Sequence, residues 1–266
     1  MMRFSSWASW LVTAYVGIVL AATNITSGIM EVDLVFPRNE TYAPTSSLPV
    51  VFAIKNPELL PLLSNSITFT AHAWENLERF PIAATYDLRW RNFSSSDPYF
   101  VYYTFAGFET EDVWWLTWSF GWTGCTEESL SHKKVNYSDY STSLTFTTKT
   151  SGQAIDLVAG TESDNCPADS GVAIEVASTL DVPIGVNNWE GGDTCAVLAD
   201  STPAATPCEV KIDAVAASSI AASIAHNACR ATQVVGCDDD ESVAARLAVG
   251  VVTILAAAFG SLGFLF

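Results

Sequence analysis

The chain has 266 residues, of which 29 are Asp or Glu and 12 are Lys or Arg, so its formal net charge is −17 at pH 7. A chain this acidic is repelled by phosphate backbones, which argues against any function in nucleic-acid binding. Charged residues make up only 15 % of the sequence, and this suits a surface that is solvated partly by glycans.

The first residues have the pattern of a secretory signal peptide. One basic residue, Arg3, precedes an apolar run at 10–22. This run is shorter than the roughly 20 residues that a membrane span needs. Val19-Leu20-Ala21 fits the small-x-small cleavage rule, so residues 1–21 are predicted to be removed. An uncleaved signal anchor is the alternative.

The segment 22–229 is predicted to be one extracellular domain built from β-strands. Apolar residues recur with a period of two at 30–36, 50–54 and 67–73, which is the spacing of strands that bury one face. Segment 98–108 is apolar on both faces, which predicts a central strand that is buried on both sides. Shorter strands are predicted at 144–148, 154–158 and 172–176.

Three acids, Glu109, Glu111 and Asp112, come before the next strand. A glycosidase needs two carboxyl groups about 5–10 Å apart across a cleft. Acids this close in sequence are more typical of a solvated hairpin turn, here between the strands that contain Phe100 and Trp114. The sequence has no nucleophile elbow, no His-Glu-x-x-His and no glycine-rich phosphate loop. We therefore predict no catalytic residues and no cofactor, and expect that the protein is not an enzyme.

Aromatic residues dominate the strand predicted at 114–122. The residues that share one of its faces are Trp114, Leu116, Trp118, Phe120 and Trp122. Coplanar exposed aromatic rings would bind sugars by stacking, so this face is one candidate for glycan binding. The leucine favours a core strand instead, since aromatic side chains bury roughly 150–250 Å² each and dominate sandwich cores.

One helix is predicted at 213–226, where Ile220 and Ile224 are four residues apart and Asp213 is placed to cap the first turn. Strands that are separated by turn signals, without interleaved helices, favour an antiparallel sandwich over a parallel α/β fold. The predicted fold class is an all-β, antiparallel, immunoglobulin-like sandwich that is stapled by disulfides and carries one short C-terminal helix.

Six cysteines lie between residues 125 and 237: Cys125, Cys166, Cys195, Cys208, Cys229 and Cys237. An even number of cysteines in a secreted chain predicts three disulfides, whose pairing the spacing leaves open. There is no Cys-x-x-Cys pair and the three histidines are scattered, so no metal site is predicted.

Four Asn-x-Ser/Thr acceptors for N-glycosylation occur at Asn24, Asn39, Asn92 and Asn136. Each requires an exposed backbone in a secreted protein, so these residues are expected to mark the surface. Asn24 lies close to the predicted cleavage point and is expected to be the poorest acceptor.

Residues 247–266 form an uncharged, mostly apolar stretch that reaches the last residue of the sequence. Such a stretch is long enough to cross a bilayer as a helix, but no basic cytoplasmic residues follow it. With the polar spacer at 230–246, this is the pattern of a glycosylphosphatidylinositol (GPI) signal, whose tail is replaced by lipid. The expected location is the extracellular face of the plasma membrane. A single-pass membrane protein is the alternative.

Asp238 is the predicted lipid-attachment residue, and Gly236 is the second choice. Attachment at Gly236 would discard Cys237 and leave an odd number of cysteines, which is a liability in an oxidising compartment. Attachment at Asp238 keeps all of the cysteines and lets Cys229 pair with Cys237 in a short closed loop.

Two runs near the start of the domain resemble a known family: MEVDLVFPRNETYAP at 30–44 and PVVFAIKNP at 49–57. They are similar to a fungal extracellular family that is defined as a domain of unknown function (number 7136), and the similarity extends over about 28–229. The resemblance implies a fungal origin, a secretion signal, a C-terminal anchor and no assigned activity. It supplies no catalytic residues.

Two functions follow from these patterns. The first is a non-catalytic cell-surface glycoprotein in wall organisation, adhesion or recognition, whose partners are the membrane, wall glycans or other surface proteins. The second is a carbohydrate-binding or carbohydrate-active protein, with carboxylates brought together from distant strands. Trp74, Trp90 and Trp189 are its candidate sugar-stacking residues. A groove that joins these tryptophans to two facing carboxylates would favour the second function, and a convex sandwich with buried tryptophans the first.

Overall fold

The computed structural model describes residues 26–76, 80–89, 93, 97–162 and 166–232. The strands of this part of the chain are β1 (Gly28–Phe36), β2 (Thr41–Tyr42), β3 (Leu48–Lys55), β4 (Ser66–Ala73), β5 (Ile82–Asp87), β6 (Tyr99–Phe105), β7 (Asp112–Gly124), β8 (Asn136–Thr148), β9 (Gly171–Asp181) and β10 (Thr194–Leu198). Its helices are α1 (Glu127–Ser131) and α2 (Ala214–Thr232), and short 3₁₀ turns occur at Pro57–Leu62, Ala159–Thr161 and Ala168–Ser170.

These strands form two five-stranded sheets. The strand order is β10-β9-β1-β3-β6 in sheet 1 and β2-β8-β7-β4-β5 in sheet 2. Neighbouring strands run antiparallel, except that β2 runs parallel to β8. The sheets pack face to face, since the Phe52 ring of sheet 1 contacts the Phe69 and Trp118 rings of sheet 2. The predicted all-β antiparallel sandwich is confirmed.

Sheet 2 follows the period-two pattern closely. On β4 the inward residues Ile67, Phe69 and Ala71 are buried, and the residues between them are partly exposed. On β7 the inward residues Trp114, Leu116, Trp118 and Phe120 are buried, and Trp122 is half-buried with its ring stacked on Phe120. The aromatic side of the strand predicted at 114–122 is therefore part of the core.

Sheet 1 differs, because its central strands are buried on both faces. The polar residues Glu31 and Asp33 of β1 alternate with the inward-facing residues, yet both are buried. The segment after β10 lies over them, since the Thr206 backbone N–H donates to Glu31 Oε1 at 2.7 Å. Ile220 of α2 is also buried in the core. Sheet 1 is thus covered by sheet 2 on its inner face and by C-terminal segments on its outer face.

The prediction of a central strand at 98–108 is wrong. Its equivalent, β6, lies at the edge of sheet 1 and pairs only with β3 among the described strands. Val101 is buried, whereas Tyr103 is 42 % exposed. Both faces of β6 are apolar because sheet 2 lies beneath one of them and α2 contacts the strand.

Two local predictions are also wrong. Residues 154–158 do not form a strand, because Asp156 Oδ1 accepts hydrogen bonds from the backbone N–H of Val158 and of Ala159 and so starts a turn. The acids at 109–112 do not form a hairpin turn, since β6 and β7 belong to different sheets. Asp112 is buried and accepts a hydrogen bond from the Glu75 backbone N–H at 3.0 Å.

The predicted helix is confirmed and is longer than expected. It spans Ala214–Thr232, and Asp213 Oδ1 accepts a hydrogen bond from the Ala216 backbone N–H at 2.7 Å, as an N-cap residue does. Among the described residues, none of the helices has the length and apolar character required to cross a membrane. The tail at 247–266 lies outside these residues.

Two disulfides are formed in the described part of the chain. Cys125, which follows β7 of sheet 2, pairs with Cys195 on β10 of sheet 1, so this bond links the two sheets. Cys166 pairs with Cys208 and ties the segment before β9 to the segment that covers sheet 1. Such bonds indicate an oxidising compartment, as in secreted and extracellular proteins. The side chains of Cys229 and Cys237 lie outside the described residues, so the third disulfide stays a prediction.

Candidate functional site

The outer face of sheet 2 is lined mainly by small hydroxylated side chains. The outward positions follow from the alternation on three neighbouring strands. They are Ser66, Thr68, Thr70 and His72 on β4, Trp115, Thr117, Ser119 and Gly121 on β7, and Tyr137, Asp139, Ser141, Ser143 and Thr145 on β8. We call this surface the hydroxyl face. Its rows are regular, because Thr70, Thr117 and Ser143 are paired across the strands.

Two tryptophans lie at one end of the hydroxyl face. Trp74 is 60 % exposed and Trp115 is 42 % exposed, and their ring centroids are 6.0 Å apart with the planes at 61°. The Trp74 backbone N–H donates to the Val113 carbonyl at 2.7 Å, which fixes Trp74 beside the start of β7. Large exposed aromatic side chains on an ordered strand mark a surface that is built for contact.

A third aromatic residue lies at the other end. Tyr137 is 69 % exposed, and a Cβ at Gly121 would lie 2.5 Å from its hydroxyl oxygen, so the tyrosine lies across the glycine. Tyr137 comes eight residues before Thr145, which pairs with Trp115. At about 3.3 Å per residue, the tyrosine and the tryptophans are separated by roughly 26 Å along β8.

The charge of the hydroxyl face is slightly negative. Asp139 lies opposite Gly121 on the face and supplies its negative charge. Asp87 lies opposite Ser66 at the edge, but it is paired with Arg89, whose Nη2 is 2.6 Å from Asp87 Oδ2. None of the outward positions described on β4, β7 and β8 is a lysine or an arginine. The surface therefore suits an uncharged ligand with many hydroxyl groups better than an anion.

Of the three tryptophans predicted to stack on sugars, the two that the structure describes do not come together. Trp74 is on the hydroxyl face, and Trp90 lies outside the described residues. Trp189 is half-buried in a loop, donates from Nε1 to the Gly192 carbonyl at 2.7 Å, and packs near the Cys125–Cys195 disulfide. Trp115 is exposed beside Trp74 but is not among the predicted sugar-stacking residues, although the alternation on β7 turns it away from the core.

A second group of polar residues lies on the outer face of sheet 1. Lys55 Nζ is 3.0 Å from Glu31 Oε1, 3.8 Å from Asp33 Oδ2 and 3.3 Å from Glu209 Oε2. Its ammonium group also donates to the Thr206 hydroxyl at 2.8 Å. Burial and then the charge of Glu31 raise the pKa of Asp33 to about 8. We call Glu31, Asp33 and Lys55 the buried triad.

An open depression of about 570 Å³ adjoins the buried triad. It is lined by Lys55, Asn56, Asp97, Pro98, Glu209, Val210 and Lys211. Asp33 is fully buried and Glu31 is 6 % exposed, so neither carboxyl group offers a surface to a substrate in the depression. The acids at 109–112 do not supply a second pair. Glu111 is exposed and its pKa is lowered by hydrogen bonds from Thr150.

The remaining predicted sites can be located only in part. Asn39 and Asn136 are both exposed, while Asn24, Asn92, Gly236 and Asp238 lie outside the described residues. Within the ranges that the structure describes, no group of three His, Cys, Asp or Glu residues is placed to hold a metal ion.

Comparison with known proteins assigns a family but no activity. No curated protein matches the chain, and no solved structure matches it. One family model, described as a domain of unknown function, matches residues 25–241. This match includes both sheets, both disulfides and α2. The chain therefore belongs to the family described as domain of unknown function DUF7136.

Proposed function

We propose that the protein is a non-catalytic glycoprotein of the fungal cell surface, and that it binds neutral wall polysaccharide on the hydroxyl face. The observation that carries this proposal is the exposed pair Trp74 and Trp115 on a regular sheet surface. The role at the cell is wall organisation, adhesion or recognition.

The hydroxyl face offers a sugar ring both an apolar contact surface and hydrogen-bonding groups. The Trp74 and Trp115 rings offer apolar surfaces on which the C–H side of a sugar stacks, as amphipathic aromatic residues do at interfaces. The rows of Ser and Thr offer hydroxyl groups, each both donor and acceptor, to the sugar hydroxyls. Thr68 of this face lies 3.2 Å from the hydroxyl of Thr85 on β5, so a sugar bound at that edge would compete with this hydrogen bond.

Sheet 2 is favoured as the binding surface because the outer face of sheet 1 is already covered. The outer face of sheet 1 is occupied by the segment around Thr206 and by α2. Among the described residues, the outer face of sheet 2 has no such cover. The roughly 26 Å between its two aromatic ends, at about 3.3 Å per residue, would accept an extended chain of several sugars.

Attachment to the outer leaflet by a GPI lipid at Asp238 completes the proposal. It rests on the uncharged stretch at 247–266 and on the polar spacer before it. A single-pass helix at 247–266 is the alternative. Other surface proteins are the second class of partner.

The proposal is tested by pull-down on insoluble chitin and on insoluble β-glucan. We expect the mature protein to bind at least one of them, and Trp74→Ala with Trp115→Ala to lower the bound fraction at least tenfold. Trp115→Phe keeps an aromatic ring and should retain most of the binding. Tyr103→Ala is the matched control, because Tyr103 is as exposed as Trp115 but lies on sheet 1. Its ring also contacts the buried Phe69, so the folding of this variant is checked in the same way as that of the double variant.

Circular dichroism and thermal unfolding should show that the double variant stays folded, since substitutions of exposed residues usually change stability by less than about 0.5 kcal/mol. The proposal is refuted if the wild-type protein binds neither polysaccharide, or if the double variant binds as well as the wild type.

A further inference from the structure

The buried triad brings an amine and a carboxyl group together on two paired strands. Glu31 of β1 lies directly opposite Lys55 of β3, and Asp33 lies opposite Ala53. Lys55 therefore faces Glu31 across the strand pair and Asp33 along the diagonal, where a long side chain still reaches. Lys55 Nζ is 3.8 Å from Asp33 Oδ2, an oxygen bonded to the Cγ atom that the amine would attack.

Asp33 is held in an unusual environment for a carboxyl group. It is completely buried, and neither of its oxygens accepts a hydrogen bond from the described residues. A Cβ at position 171 would overlap Asp33 Oδ1, so Gly171 of the neighbouring strand makes the space for the carboxyl group. A buried carboxylate without hydrogen bonds is costly, and an ion pair at this distance offsets only part of the cost.

We infer that Lys55 and Asp33 form an intramolecular amide bond between β3 and β1, with Glu31 carrying the proton. The bond would remove the buried carboxyl group of Asp33 and the charge of Lys55 together. Nothing else in the buried triad needs to move far, because Lys55 Nζ already contacts Glu31 Oε1 at 3.0 Å.

The reaction is a condensation that needs no oxidant and no co-reactant. Glu31 accepts a proton from the Lys55 ammonium group, and the free electron pair of Nζ attacks Asp33 Cγ of the protonated carboxyl group. In the tetrahedral intermediate, Nζ gives up a further proton as a hydroxyl group leaves Cγ with the proton that Glu31 returns. One N–C bond forms, one C–O bond breaks and one water molecule is released. The second proton of Nζ passes to solvent at the open depression, so the Lys55 ammonium group and the protonated Asp33 give one amide, one water molecule and one proton, and Glu31 ends ionised as it began.

At neutral pH the protonation state of Asp33 favours amide formation, whereas that of Lys55 opposes it. Burial raises the pKa of Asp33 to about 8, so this carboxyl group is protonated at neutral pH, which is the form that an amine attacks. Burial lowers the pKa of Lys55, but its hydrogen bond to Glu31 and the charge of Asp33 outweigh this and leave the pKa raised. Removal of the proton from Lys55 is therefore the slow step, and this is the step that Glu31 assists.

The inference is independent of the hydroxyl face, since the buried triad lies on the other sheet. Its test is mass spectrometry of the mature protein after reduction and removal of N-glycans. We expect the intact mass to be lower by one water molecule than the mass calculated for the mature sequence together with any attached lipid. Trypsin should fail to cleave after Lys55, and the peptide 39–79 should be recovered joined to the peptide that ends at Arg38.

Lys55→Arg is the control, because arginine keeps the positive charge but supplies no such amine. This variant should have the full mass, and Glu31→Gln should form the bond more slowly and give a mixture of both masses. A wild-type protein with the full mass and free peptides overturns the inference. So does a loss of water that persists in Lys55→Arg, because it would arise from cyclisation of an aspartate.

Discussion

Truncation of Trp118 offers a direct measure of how much the aromatic core of sheet 2 contributes to stability. Trp118 is 1 % exposed, and its ring lies 5.3 Å from that of Phe52 and 5.7 Å from that of Tyr140. Phe52 belongs to sheet 1, so Trp118→Ala removes contacts both within sheet 2 and between the sheets. We expect the free energy of unfolding to fall by about 3–5 kcal/mol, the usual cost of truncating a buried aromatic residue.

The assay is urea denaturation followed by far-ultraviolet circular dichroism, with disulfides intact. For a domain of this size, about 3–5 kcal/mol corresponds to a decrease in Tm of roughly 6–20 °C. Trp115→Ala is the control, because it changes the same residue type on the same strand but on the exposed face. If Trp118→Ala unfolds at the wild-type urea concentration, or if Trp115→Ala costs as much, the assignment of the two faces of β7 is wrong.

Three further predictions concern charge, glycans and the anchor. Burial and the charge of Glu31 raise the pKa of Asp33 from 3.8 to about 8 beside Lys55. Both causes persist in Lys55→Arg, where Asp33 remains a free carboxyl group, so the folded state holds a proton that the unfolded chain releases. Its unfolding free energy should therefore fall as pH rises from about 4 to about 8, and a flat profile in urea titrations would contradict this. Asn39→Gln and Asn136→Gln should each remove one N-glycan, seen as a mobility shift in gel electrophoresis that enzymatic deglycosylation abolishes. Phosphatidylinositol-specific phospholipase C, after base treatment, should release a protein that ends at Asp238, whereas recovery of the tail peptide at 247–266 would indicate a transmembrane helix.

The sequence predicts sheet 2 better than sheet 1, and the reason is burial. On β4 the polar positions are partly exposed, so alternation of Ile67, Phe69 and Ala71 with polar residues reflects one buried face. On β1 the same alternation is present, but Glu31 and Asp33 are covered by a segment that is distant in sequence. Alternation with a period of two predicts which residues of a strand lie on the same face. It does not predict whether another segment of the chain covers the polar face.

The same limit explains the wrong position of β6. Apolar residues on both faces of 98–108 predict a strand that is buried on both faces, but Tyr103 of β6 is 42 % exposed. Its place at the edge of sheet 1 depends on which strands pair with it, and residues such as Val101 carry no signal for that. An edge strand that packs against a sheet on one face and contacts a helix can therefore be as apolar as a central strand.

The candidate site was predictable in part. Trp74 follows a strand whose alternation places it away from the core, and it is exposed. The alternation on β7 also predicts that Trp115 faces away from the core. Its neighbours Trp114 and Leu116 face the core, so the strand as a whole has the composition of a core strand. Trp189 could not be placed, because it lies in a loop where no periodicity applies, and its Nε1 is satisfied by its own loop.

The strand order of sheet 1 determines the sequence of events as the chain is made. β1 leads the domain, yet one of its two partners is β9, with Met30 opposite Ile174. At about 5–20 residues per second, synthesis exposes one edge of β1 for roughly 7–30 s before its partner appears. The thiol of Cys125 must also wait for Cys195, which emerges later still. Assembly of sheet 1 is therefore completed from the C-terminal side, and a chain that stops before Gly171 would contain all of the strands of sheet 2 but leave β1 with an unpaired edge.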